Sequence, residues 1–70
     1  MNSIQKEPLT VRELEVLKLI SQGCETCEIA SILKIEECTV RFHVKNILDT
    51  LDVNTRAAAV YHAVKRGWLT

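Results

Sequence analysis

Apolar residues recur along the chain at intervals of three and four rather than alternating, which is the period of a helix and not of a strand. The clearest stripe is Val40, Val44, Ile47, Leu48 and Leu51, at i, i+4, i+7, i+8 and i+11, and it predicts a long helix with one buried face. Earlier in the chain, Leu14, Leu17 and Ile20, extended by Val16, predict a first helix. Thr10 can cap its start, Glu13 completes a capping box, and Leu9 can staple onto Leu14. Gly23 suits a left-handed C-terminal cap, so this helix should stop near Gln22. A short second helix follows from about Thr26 to Leu33, with Ile29, Ala30, Ile32 and Leu33 as its apolar side. Beyond the long third helix, Asn54 is the expected N-cap of a fourth. There Ala57, Ala58, Ala59, Val60, Ala63 and Val64 are small enough for another helix to approach closely. Gly67 ends that helix, and Trp68 and Leu69 are expected to fold back onto the core. The predicted fold class is all-α, with four helices.

Seventy residues leave room for one small core and not for two. Residues 1–7 are polar and aperiodic, so they read as a flexible lead-in or the end of a linker, with the domain occupying residues 8–70. Nine Lys and Arg balance nine Asp and Glu, so no global field draws the chain to nucleic acid and any electrostatic site must be local. No apolar run approaches the roughly 20 residues of a membrane span and no signal-like stretch opens the chain. The expectation is a cytoplasmic protein with no membrane partner. Enzyme chemistry is not expected either: no nucleophile has an adjacent base, no Gly-rich loop could cradle a phosphate, and the chain is too short to build a pocket.

Three cysteines raise metal and thiol chemistry, because Cys24-x-x-Cys27 with Cys38 and His43 has the composition of a ligand set. Spacing disfavours a shared metal. The second helix lies between Cys24, Cys27 and Cys38, and about seven helical residues separate them by roughly 10 Å or more. Thiolates on one zinc lie within about 4 Å of each other. No metal and no cofactor are therefore expected, and the odd cysteine count argues against a purely intramolecular disulfide framework. Redox activity of Cys24 and Cys27 stays open.

A short helix, a tight turn around Lys34 to Glu37 and a longer helix with a buried stripe describe a helix-turn-helix over about residues 25–46. The exposed side of its second helix shows Arg41, Phe42, Lys45 and Asn46, and between Cys38 and Leu48 no acidic residue offsets the two cations. In that motif the second helix enters the DNA major groove. Reading base edges there needs long donors near the helix N-terminus, on a face held at a fixed angle by the core. Arg41 and Lys45 meet this requirement at i, i+4, although the same spacing is common on any solvated helix face. Phe42 admits two readings, exposed beside them or partly buried in the core.

Leu9-Thr10-x-Arg12-Glu13-x-Glu15-Val16-Leu17, Gly23, Glu28-Ile29-Ala30-x-x-Leu33-x-Ile35, Thr39-Val40-Arg41-x-His43-Val44-x-Asn46-Ile47-Leu48, and Arg56 followed by Ala59-Val60 together resemble the LuxR-type DNA-binding domain. That domain is shared by quorum-sensing regulators, NarL/FixJ response regulators and the spore regulator GerE, and the resemblance runs over residues 8–69. It implies a bacterial transcriptional regulator that binds a two-fold symmetric operator as a homodimer, its third helix in the major groove. RNA polymerase is a further partner it admits. On this resemblance Arg41, Phe42 and Lys45 read bases, while Thr39, Asn46 and Thr26 contact phosphates. His43, between the basic and core stripes, is either a phosphate contact or a packed, hydrogen-bonded residue. Ala57, Tyr61, Val64 and Lys65 on the fourth helix form the implied dimer interface, and Glu13 and Glu15 would tie the first helix to Arg56.

Departures from the family pattern also carry information. Glu25 and Glu36 stand where a small hydroxyl residue usually begins the second and third helices, Cys27 and Thr50 stand where basic residues are usual, and Asp52 replaces a glycine. The poorer caps cost about 0.5–2 kcal/mol of stability each, while negative charge from Glu25, Glu36 and Glu37 near the phosphate positions and fewer phosphate neutralisers predict weak DNA binding. Zero net charge and the acidic residues at the helix starts motivate an alternative function from another class: a protein interaction or dimerisation module of the same fold, docking through the fourth helix.

Overall fold

The computed structural model describes residues 9–69. Among them lie α1 (Val11–Ser21), α2 (Thr26–Leu33), α3 (Glu37–Leu51) and α4 (Arg56–Lys65), and no strand. The predicted lead-in, residues 1–7, falls outside the described residues.

α1 begins as its sequence dictates. Thr10 Oγ1 accepts from the Glu13 N–H at 3.1 Å, and Glu13 Oε1 accepts from the Thr10 N–H at 3.1 Å, so each half of the capping box satisfies one orphan donor. Leu9 is buried and Leu14 packs against the same core. The chain leaves α1 through Gly23 at φ +90, a conformation in which a Cβ would be strained.

The core joins Val16 and Leu17 of α1 to Ile29 and Ala30 of α2, and Val40, Val44, Ile47 and Leu51 of α3 to Ala59 and Ala63 of α4. Having no bulk beyond Cβ, Ala59 and Ala63 let α4 lie against both α1 and α3, while α2 rests mainly on α3. Leu69 closes the core from the C-terminal side, and the Trp68 N–H donates to the Ala63 carbonyl at 2.9 Å to hold the turn after α4.

Ile32 departs from its predicted place. It is 54% exposed, because α2 buries the side centred on Ile29, Ala30 and Leu33, and at 3.6 residues per turn Ile32 points roughly 100° away from that centre. The N-cap of α4 also differs by one residue. Thr55 is the N-cap, in extended conformation, and its Oγ1 accepts from the Ala58 N–H at 3.1 Å. Half-buried Val53, whose N–H donates to the Leu48 carbonyl, anchors the connection and fixes which of the two adjacent capping residues reaches the helix. Thr55→Ala should therefore destabilise the domain by about 0.5–2 kcal/mol. Asn54→Ala should change stability by less than about 0.5 kcal/mol. Thermal melting followed by circular dichroism checks both, and equal losses would mean that Asn54 shares the cap.

Two turns use left-handed residues without glycine. Asp52 ends α3 at φ +57, as its place in the family pattern implied, and Lys34 ends α2 at φ +60 inside the helix-turn-helix turn. Glu36 makes no side-chain cap hydrogen bond. At α2 the Glu28 carboxylate accepts from the Glu25 N–H at 2.8 Å.

Candidate nucleic-acid interface

The α2–α3 pair presents one side of α3 to solvent while Val40, Val44, Ile47 and Leu51 hold the other in the core. Arg41, Phe42 and Lys45 come together on the exposed side. Phe42 is 60% exposed, which decides between its two readings. One turn separates Arg41 from Lys45, about 6 Å along the axis. Thr39, His43 and Asn46 are half-buried along one flank of α3. His43 is half-buried, and its Nδ1 is buried with no hydrogen-bond partner among the described residues.

The positive stripe is not unopposed. Arg41 Nη1 lies 3.7 Å from Glu37 Oε1 and Lys45 Nζ lies 3.3 Å from Asp49 Oδ2, so acids just outside the acid-free stretch each reach one turn inward to a cation. Exposed pairs of this kind contribute about 0–1 kcal/mol, so both cations exchange partners readily.

Thr26 opens α2, and its Oγ1 accepts from Arg56 Nη2 at 3.1 Å. A hydroxyl that accepts still has its proton to donate. Arg56 thus ties the start of α4 to the start of α2 and not to α1. Glu13 is occupied in the capping box, and Glu15 pairs with Arg12 at 3.4 Å. Nothing local in the sequence signals this link, since the partners stand thirty positions apart.

On α4, Ala57, Tyr61, Val64 and Lys65 share the side opposite buried Ala59 and Ala63, and all four are exposed. Lys65 Nζ sits 5.6 Å from the centroid of the Tyr61 ring, within cation–π range. All three cysteines are free: Cys24 is half-buried and packed against the core, and Cys27 and Cys38 are exposed on different helices. Among the described residues no group of His, Cys, Asp and Glu is arranged to hold a metal ion, and no helix is long and apolar enough to cross a membrane.

Residues 7–63 match the family described as bacterial regulatory proteins, luxR family. The chain belongs to this family. The LuxR-family domain is 46% identical to the transcriptional regulatory protein DegU of Brevibacillus brevis over 61 residues, 87% of this chain and 26% of that protein. It is 42% identical to the transcriptional regulatory protein DesR of Bacillus subtilis over 64 residues, 91% of this chain and 32% of that one. The solved structure of the transcription factor GerE superposes with a TM-score of 0.88 at 35% identity, covering 93% of this chain and 97% of that one. The chain thus spans about a quarter to a third of the length of these two curated relatives and nearly all of GerE. These relatives are transcriptional regulators and not enzymes, and the predicted all-α, four-helix LuxR-type fold is the one found.

Proposed function

We propose that this LuxR-family domain, residues 8–70, binds a two-fold symmetric DNA operator as a homodimer and regulates transcription in the bacterial cytoplasm, with α3 seated in the major groove. The observation that carries the reading is the joint exposure of Arg41, Phe42 and Lys45 on a helix whose opposite side is fixed in the core. A guanidinium in that position suits the paired acceptors of guanine, and an exposed ring beside it suits a thymine methyl. Lys45, one turn on, faces the next base edges. Thr39, His43 and Asn46, together on one flank of α3, face the phosphates of one groove wall. Thr26, its proton unspent, offers the phosphate backbone a donor at the positive end of α2. Dimerisation through Ala57, Tyr61, Val64 and Lys65 would bury the exposed Tyr61 ring and Val64 against their copies and set the spacing of two α3 helices to two half-sites.

Fluorescence anisotropy of the purified chain against a random duplex pool, at low and moderate salt and with the bound fraction sequenced, tests the reading. Enrichment of a palindromic motif, with binding that weakens steeply as salt rises, is the expected result. The pairing of both cations and the exposed apolar side of α4 favour a second reading, a docking module that acts through α4. No DNA binding even at low salt would move the function there.

A further inference from the structure

Four charged residues four positions apart run along one side of α3: Glu37, Arg41, Lys45 and Asp49, in the order minus, plus, plus, minus. Each outer acid is paired with the nearer cation, at 3.7 and 3.3 Å. At 1.5 Å of rise per residue the row is roughly 18 Å long. Its net charge is zero, so from beyond its own length the field largely cancels, while close to its centre the two cations prevail.

Helix stability accounts for only one of the acids. Glu37 lies in the first turn of α3 and complements the helix dipole. Asp49 lies in the last turn, where a carboxylate opposes the dipole and no basic residue is present. Its pair with Lys45 also runs from cation to acid along the chain, the less favourable i, i+4 order. All four side chains are more than half exposed, so the cations leave these pairs at small cost.

We propose that Glu37 and Asp49 are specificity-determining residues, which keep α3 from adhering to duplex DNA of arbitrary sequence. The inference rests on the reading of α3 as the groove-entering helix. On mismatched DNA, Arg41 and Lys45 gain only attraction to phosphates, and the acids at both ends of the row offset it by repelling the phosphates that wall the groove. At a matched site the same repulsion acts, but Arg41 and Lys45 turn from the phosphates to base edges, so the phosphate attraction that the acids weaken is a smaller share of the binding there. Because the chain as a whole is neutral, no surplus of charge elsewhere masks this local balance.

The test uses Glu37→Gln, Asp49→Asn and the double variant in the full chain. Each is titrated by anisotropy against a random-sequence duplex and against the duplex that the unsubstituted chain enriches most from a random pool. Each charge removal should tighten binding to the random duplex by roughly threefold, and the double variant should tighten it by about tenfold. Matched-site affinity should rise less, so the ratio of the two falls. Asp49→Glu, which keeps the charge, should keep the original ratio, and circular dichroism should show the helical content of every variant unchanged. An equal rise on both duplexes, or no change on the random one, overturns the inference and leaves the DNA-binding reading standing. Failure of the unsubstituted chain and all variants to bind either duplex overturns that reading, and the inference with it.

Discussion

Leu17→Ala is expected to leave the domain largely unfolded in the absence of denaturant. Leu17 is fully buried at the centre of α1, in the core that all four helices share. Truncating a leucine in such a place removes its burial and leaves a cavity, at a cost of about 3–5 kcal/mol. A core this small supplies about 3–5 kcal/mol of net stability, so the loss consumes most or all of it. A urea titration followed by helical circular dichroism should show the cooperative transition of the unsubstituted chain shifted almost to zero denaturant. Ile32→Ala is the control, an aliphatic truncation on an exposed position, and it should change stability by about 0.5 kcal/mol or less. Equal losses from the two variants would mean that α2 buries a different face from the one described.

The contrast between these two aliphatic residues marks how far local pattern reaches. Five apolar positions define the phase of the α3 stripe, and the structure buries or half-buries all five. α2 has only eight residues, and its four apolar positions spread too widely round the helix to say which a neighbour covers. Ile32 was therefore indistinguishable from Leu33 until α3 was placed beside it. The Thr10 and Glu13 box was legible because both halves lie within one turn, whereas at Asn54 and Thr55 two equally good capping residues are adjacent and a tertiary contact of Val53 decides between them. Lys34 carries no sign of its left-handed backbone, since the residue type that usually marks one is absent.

Within the candidate interface, only the structure decided the exposure of Phe42, whereas Arg41 and Lys45 were visible as the outward side of an amphipathic helix. The Arg56 to Thr26 hydrogen bond was not, because only the finished fold brings the start of α4 to the start of α2. The neutralised stripe was missed for a different reason. Looking for acids only between Cys38 and Leu48 stops short of a helix's reach, and the i, i+4 spacing of Glu37 to Arg41 and Lys45 to Asp49 was present in the sequence throughout. Charge on a helix has to be counted one full turn beyond the stripe it is meant to describe.

Arg41→Ala should reduce discrimination between a matched site and one mismatched at the base it reads by about 1–3 kcal/mol, roughly 5- to 150-fold in the ratio of dissociation constants. The substitution also leaves Glu37 without its 3.7 Å partner, so affinity for every sequence should fall as well. Comparing the Arg41→Ala, Glu37→Gln double variant with Glu37→Gln alone removes that charge effect and isolates the base contact. Thr26→Ala supplies the opposite pattern: it deletes a hydroxyl at the start of α2, along with the acceptor of Arg56, and should weaken matched and mismatched sites by the same factor. Parallel anisotropy titrations at one salt concentration separate the two effects, since one changes a ratio and the other changes only its scale. If the ratio survives Arg41→Ala in the Glu37→Gln background, sequence is read by other residues of α3. The guanidinium would then serve as a phosphate contact, in which case its loss would flatten the salt dependence of binding while leaving the preferred sequence intact.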